Sequence, residues 1–269
     1  MITELGHMNV PDEIWNKLKH LLPQRKTPKS NGGRPRLDDR IALSAIFYRC
    51  KTGIAWREMP PQFGTKSTLH RRFQEWVAEG VFDKIQNEAL KLYERRIKIR
   101  NKRMAMDGSV SRSPKGGFLT SRNPTDRGKK GIKKHILIDY LGIPIVIILG
   151  TAGTHDSQLF RETYDSFKMK RNNQRIKPLS LSLDKAYSSK KIFNFLSKRK
   201  IEARIPNKIN TRNKRKLKKR IPFRWKVERT FAWINSFRAV RTCYELNKEN
   251  YLALCKLACS IIILRKALR

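Results

Sequence analysis

Three acids stand out in a chain that carries 61 Lys+Arg against 22 Asp+Glu. Asp107 follows a short apolar stretch in MAMDGS, Asp184 ends an alternating one in LSLDKAY, and Glu228 lies inside the helical pattern RWKVERTFAWINSFR. Brought together, such carboxylates are hard oxygen donors for divalent cations. Mg2+ keeps several of its waters, so two or three protein ligands suffice. Two such ions about 3.5–4 Å apart activate an attacking oxygen and stabilise a leaving one in phosphodiester chemistry. Taken apart, each acid has an ordinary structural use. Asp107-Gly108 is a common turn dipeptide. Asp184 can accept backbone N–H groups at the start of the next element. Glu228 stands four after Arg224, a surface pair worth ~0.3–0.5 kcal/mol.

The elements that must position these acids follow from the apolar periodicity. Residues 9–23 carry Ile14, Leu18 and Leu21 at helical spacing and stop at Pro23. Residues 24–36, QRKTPKSNGGRPR, read as a loop or arm. Leu37, Ile41, Ala45 and Tyr48 mark a second helix that Thr52-Gly53 ends, and residues 56–63 form a turn around Pro60 and Pro61. Ser67 can cap a third helix, with Leu69, Phe73, Trp76 and Val77 inward and Gly80 just past its end. A fourth helix spans 82–97. Helix, short connection, helix is the outline of a helix-turn-helix unit. Its third helix would offer His70, Arg71, Arg72 and Gln74 to phosphates or base edges. A solvated basic face on a small helical bundle is the alternative.

From about residue 100 the pattern predicts strands at 103–106, 135–139, 143–149, 179–183 and 201–205. Asp139 would project from the second of these, either supporting the acids or merely exposed. Helices are predicted at 156–170, 188–199, 223–240 and from 249 to the end, the last burying Leu252, Cys255, Cys259 and Ile262. Three strands followed by alternating helices and strands predict an α/β layer with a mixed sheet. Adjacent parallel strands in such a sheet can bring two carboxylates to one end, and a helix over that end can add a third.

A net charge of +39 on 269 residues makes an ordinary metabolic enzyme a poor default and a polyanion the expected partner. Residues 112–134 hold eight basic residues and one acid, Asp126. Residues 208–220 hold eight basic residues and no acid, among them Lys208, Arg212, Lys214, Arg215 and Lys216. Lying on both sides of the acidic pair, these runs are expected to hold nucleic acid across it. Log affinity then falls with log salt by ~0.9 per phosphate neutralised. The acidic N-terminus lacks a signal-peptide pattern, and no apolar run nears the ~20 residues of a spanning helix. Four cysteines, Cys50, Cys243, Cys255 and Cys259, are too few for a disulfide framework, so a reducing cytoplasm is the expected setting.

The segments MAMDGSVSRS, GKKGIKKHILIDYLGIPIVIILGTAGTHDSQLF, LSLDKAYSS and RWKVERTFAWINSFR, in that order, resemble the DDE transposases of bacterial insertion sequences, in their IS-five-like branch. The amino-terminal segment from GRPRLDD to GVFD is similar to the helical domain of the same proteins. The resemblance implies an RNase H-like mixed sheet flanked by helices and preceded by a small all-α, helix-turn-helix-like domain. It implies a helical DNA-binding domain over 1–100 and a catalytic domain over 101–269. Asp107, Asp184 and Glu228 match the family's acids and would bind Mg2+ or Mn2+, two ions in all. The implied activity cuts double-stranded DNA at element ends and joins the freed 3′ hydroxyls to target DNA. A homodimer on the nucleoid of a prokaryotic cytoplasm is the expected setting; a DNA-binding remnant without catalysis is the alternative. The family's signature around the glutamate places Tyr, Arg, Glu and Lys where this chain has Ile221, Arg224, Glu228 and Asn235. Arg and Glu match; Tyr and Lys do not. Arg224 would then meet a phosphate or orient Glu228, with Arg229, Arg238 or the 208–220 run replacing the missing contacts. Trp233 and Trp225 would stack on a base or lie in the core. His155-Asp156 would stand near the site or cap a helix.

Overall fold

The computed structural model describes residues 10–23, 36–124, 126–206 and 223–268. The loop or arm at 24–35, and Lys208, Arg212, Lys214, Arg215 and Lys216, lie outside the described residues. Four helices come first: α1 (Asp12–Leu18), α2 (Asp39–Thr52), α3 (Lys66–Ala78) and α4 (Val81–Arg96). Asp38 caps α2 through the N–H groups of Arg40 and Ile41, and Gly53 closes it at φ 72°. That is left-handed backbone a glycine adopts without strain. α3 starts two residues earlier than a cap at Ser67 would allow, with Thr65 as its N-cap.

A mixed sheet follows. Its strands are β1 (Met104–Arg112), β2 (Ser121–Arg122), β3 (Lys130–Ile138) and β4 (Pro144–Thr151). After α5 (Asp156–Ser166) come the small hairpin β5 (Lys170–Arg171) and β6 (Gln174–Arg175), then β7 (Ser180–Ser182), α6 (Lys190–Ser197) and β8 (Glu202–Arg204). The last elements are α7 (Trp225–Asn235), α8 (Arg238–Arg241) and α9 (Lys248–Ala267). β4, β3 and β1 form an antiparallel meander, and β7 then β8 add to the far edge of β1 in parallel. This is the RNase H-like arrangement expected from the sequence. Among the described residues no helix is long and apolar enough to cross a membrane.

Two strands are longer than the apolar pattern indicates. β1 continues five residues beyond Asp107, pairing through Arg112↔Gly131, so Asp107-Gly108 is strand and not turn. β3 begins at Lys130 and includes Lys133 and Lys134, both buried. Lys133 Nζ donates to Thr154 O at 2.5 Å. Lys134 Nζ donates to Asn235 Oδ1 at 2.6 Å and Val240 O at 3.2 Å. A buried ammonium is tolerated because its protons are taken up by acceptors, and the polar residues disguise the strand's period. The helix predicted over 223–240 is two helices. Ser236 Oγ donates to Trp233 O at 2.7 Å and Phe237 turns extended, an exit from the helix that serine favours.

Asp139 is fully buried at the end of the meander rather than projecting into solvent. It accepts from Tyr93 Oη (2.8 Å), from the N–H groups of Leu141 and Ile143 (2.9 Å each) and from Arg100 N (3.3 Å). It therefore builds the β3–β4 turn and ties it to α4. α9 is apolar on most faces and packs against α2, α3 and α4 as well as β4. Leu254, Cys255 and Ala258 share one core with Ile46, Phe73 and Trp76 of the first helices and with Ile136 of the sheet. Leu252 and Ile262 are only half-buried.

His135, in β3, bonds Thr163 Oγ1 through Nδ1 and Tyr187 Oη through Nε2, each at 2.6 Å. Burial lowers its pKa to about 4, despite the nearby Asp156, with Lys133 adding to the effect. The unfolded chain therefore takes up a proton that the folded chain refuses. This contribution to stability is full above the ordinary histidine value and is lost as pH falls from about 6.5 towards 4, on the order of 3 kcal/mol. Urea midpoints should fall more steeply between pH 7 and pH 4.5 for the parent chain than for His135→Asn; equal slopes would contradict a neutral buried imidazole.

Candidate active site

β1 and β7 run parallel, with Met104 opposite Leu181 and Ala105 opposite Ser182. Asp107 lies two positions beyond Ala105 within β1, and Asp184 lies two positions beyond Ser182, just past the end of β7, so the parallel pairing brings both to the same end of the sheet. Both line a cleft of about 150 Å3, together with Arg103, Arg204, Phe223 and Arg224. Asp107 has only 14% of its side chain exposed. Burial raises its pKa to about 6; the Gly108 N–H (2.9 Å) and Arg224 oppose the rise, while Asp184 and Asp156 add to it. Asp184 accepts from Ala186 N at 2.7 Å and caps the 3-10 turn Lys185–Tyr187. Its capping use is thus real, and it coexists with a place beside Asp107.

Glu228 sits in the first turn of α7 with 69% of its side chain exposed. Arg224 stands between it and the aspartates. Its Nη2 is 3.9 Å from Asp107 Oδ2 and its Nε is 3.9 Å from Glu228 Oε1. Asp107 and Asp184 are therefore brought together, while Glu228 approaches them across one guanidinium. Among the described residues no three His, Cys, Asp or Glu side chains cluster closely enough to hold a metal ion. The donor set nevertheless suits Mg2+ or Mn2+, because such ions are commonly held by one or two carboxylates plus substrate phosphate and water.

Asp156, at the start of α5, adds a further carboxylate. It pairs with Lys133 Nζ at 2.8 Å and its Oδ1 lies 2.3 Å from where a Cβ on Gly108 would stand. His155 is the N-cap of α5, bonded through Nδ1 to Ser157 Oγ at 2.7 Å and to Ser157 N at 3.4 Å. The dipeptide thus splits: His155 caps the helix and Asp156 faces β1. Tyr187 went unnoticed in the sequence. It is fully buried, and burial raises its phenol pKa, with Asp156, Asp107 and Asp184 adding to the rise. Its only sequence signal is its position three residues after Asp184.

Several basic candidates are corrected. Arg72 is 4% exposed, paired with Asp39 and bonded to Leu37 O at 3.3 Å, so it is a structural residue and not a surface reader. Arg71 is 76% exposed, and His70 packs its ring 5.4 Å from Trp56. Arg229 lies between Trp225 and Trp233, 4.6 and 4.5 Å from the rings, and donates to Leu141 O at 2.8 Å. It fastens α7 to the β3–β4 turn. Trp233 packs partly buried against the core, whereas Trp225 is 45% exposed. Arg238 is exposed. Asn235, at the signature's lysine position, accepts from Lys134.

Gly108 is required by this packing. Gly108→Ala should push Asp156 off Lys133 and cost ~1–3 kcal/mol in a urea titration. Adding Asp156→Ser should recover most of that loss, and no recovery would mean that the strain lies elsewhere.

Comparison with known proteins bears on the same residues. Residues 10–86 match the family described as "Putative transposase of IS4/5 family", and residues 100–263 match "Transposase DDE domain". The "Putative transposase for insertion sequence element IS402" of Burkholderia cepacia is 34% identical over 146 residues, 53% of this chain and 67% of that protein. The "Insertion element IS402 uncharacterized 16.2 kDa protein" of the same organism is 33% identical over 118 residues, 43% of this chain and 80% of that one. Among solved structures, a piggyBac transposase synaptic complex with hairpin DNA aligns over 97% of this chain and 74% of that one at 9% identity, TM-score 0.45. The catalytic domain of Mos1 mariner transposase aligns over 69% of this chain and 93% of that one at 10% identity, TM-score 0.28. The DDE domain is a transposition domain, generally catalytic and typically dependent on a divalent metal. The chain belongs to the DDE transposase family, in its IS4/5 group.

Proposed function

We propose that this chain cleaves phosphodiester bonds at the ends of an insertion sequence and transfers the freed 3′ hydroxyls to target DNA. The observation that carries this reading is the pair Asp107, on β1, and Asp184, just past the end of its parallel neighbour β7, lining one cleft. Asp107, Asp184 and Glu228 are the residues that would hold Mg2+ or Mn2+, two ions in all. When bound, such ions activate the attacking oxygen and stabilise the leaving one. Arg224 lies within 3.9 Å of two of the three acids and is set to meet a scissile phosphate with its planar donors. Its charge offsets the repulsion between the carboxylates it stands beside. Arg238 and the basic run at 208–220 would supply further phosphate contacts.

The DNA-binding part is assigned to 1–100 and the catalytic part to 101–269, in line with family matches at 10–86 and 100–263. Two ends must be cut in concert, so the working form is a homodimer on double-stranded DNA, in the cytoplasm of a prokaryote. A second reading, a DNA-binding remnant without catalysis, is favoured by one observation: a guanidinium already occupies the space between Asp107 and Glu228.

Cleavage of duplexes carrying the element ends separates the two. With Mg2+ or Mn2+ the parent chain should nick and join, and Asp107→Ala, Asp184→Ala or Glu228→Ala should each lose more than ~100-fold in rate. Calorimetric Mn2+ binding should disappear in Asp184→Asn. DNA binding with neither cleavage nor a Mn2+ site would establish the remnant, and unchanged activity in Asp107→Ala or Asp184→Ala would refute the assignment.

A further inference from the structure

A second cavity, of about 400 Å3, opens beside the first turns of α3 and is not part of the cleft described above. Arg36, Arg71, Arg72, Glu75 and the hydroxyls of Thr65 and Thr68 line it. Its charge is unbalanced. One carboxylate, Glu75, is shared by three guanidinium groups: Arg36 Nη2 at 3.0 Å, Arg72 Nε at 3.6 Å and Arg71 Nε at 3.8 Å. Arg72 also pairs with Asp39 and is buried, so it contributes a fixed charge and holds the wall. Its pKa is lowered, first by burial and then by the neighbouring Arg36. Arg36 and Arg71 retain exposed surface, and Thr65 Oγ1 donates to Thr68 Oγ1 at 3.0 Å at the cavity wall.

With Asp39 counted against Arg72, three guanidinium groups still outnumber two carboxylates, and that excess of positive charge, plus hydroxyl donors, matches a tetrahedral oxyanion. Guanidinium groups bind carboxylate and phosphate oxygens through the same paired N–H donors. We propose that this cavity is a phosphate-binding site in which Arg36 and Arg71 grip a phosphate of the DNA backbone, and that Glu75 is a built-in competitor occupying the same guanidinium groups until DNA displaces it. The contact sets α3 in register on the duplex without reading bases. The inference rests on the DNA-binding reading of residues 1–100.

The test is fluorescence anisotropy of the full chain on an element-end duplex and on an unrelated duplex, at several salt concentrations. Far-ultraviolet circular dichroism and urea midpoints check that each variant is folded. Arg71→Ala and Arg36→Ala should each weaken both duplexes alike, about eightfold at 0.1 M salt, and lower the slope of log affinity against log salt by ~0.9. Glu75→Gln should move the other way, tightening both duplexes about fivefold. Inorganic phosphate should compete no better than its ionic strength predicts if the source is the DNA backbone; specific competition at millimolar phosphate would reassign the site to free phosphate. A parent chain that binds neither duplex would overturn the DNA-binding reading itself. A parent chain that binds while all three variants keep its affinity and slope would overturn only the phosphate site. Weaker binding by Glu75→Gln would overturn the competitor role.

Discussion

Neighbouring parallel strands impose a fixed register, and in this protein that register delivers two carboxylates to one end of the sheet, in a partly desolvated cleft. The ladder of β1 fixes Asp107, and the capping bond from Ala186 N fixes Asp184 just past the end of β7. The surroundings answer with donors of several kinds. The Gly108 and Ala186 amides point at the two aspartates, Arg224 stands off Asp107, and Lys133 neutralises Asp156. Compensation is incomplete, since Asp107 still favours its proton more than a free aspartate does. A concentration of negative charge under partial burial is the condition that a cation or a cationic side chain relieves.

The position of α7 over that cleft is set from beneath by buried polar groups. The Val240 carbonyl accepts from Ser111 Oγ, Lys134 Nζ and Tyr251 Oη, joining β1, β3 and α9 at the end of α8. Arg229 and Thr230 bind the carbonyls of Leu141 and Gly142, and Asp139 organises that same turn from inside. Such groups are costly to bury alone, and the partners each finds here hold α7 in this placement. Arg224 and Glu228 inherit their location from this network.

The charge excess divides into two populations that composition does not separate. Lys133, Lys134, Arg72 and Arg229 are internal fasteners, each with carbonyl, carboxylate, amide or indole partners. Arg71, Arg224 and Arg238 keep exposed surface. A run such as 112–134 thus mixes both kinds, because strand β3 passes through it and is buried on both faces beyond its first residue, so that Lys133 and Lys134 both lie inside.

The order of elements, the mixed sheet and the identity of the unusual acids were legible from apolar periodicity and from a few motifs in register. The β-branched run of β4 and the alternation around Leu181 are local patterns, and local patterns survive without tertiary context. Polar strands did not survive it. Ser111 and the lysines of β3 break the apolar pattern of their strands, because their polar atoms find partners on elements far away in the chain. Only the folded chain decided that Asp107 and Asp184 line one cleft, that Arg224 stands between Asp107 and Glu228, that Asp156 leans over Gly108 and that Arg72 is buried. Such facts depend on cross-strand register and on side chains meeting across long sequence distances, and one-dimensional spacing carries neither.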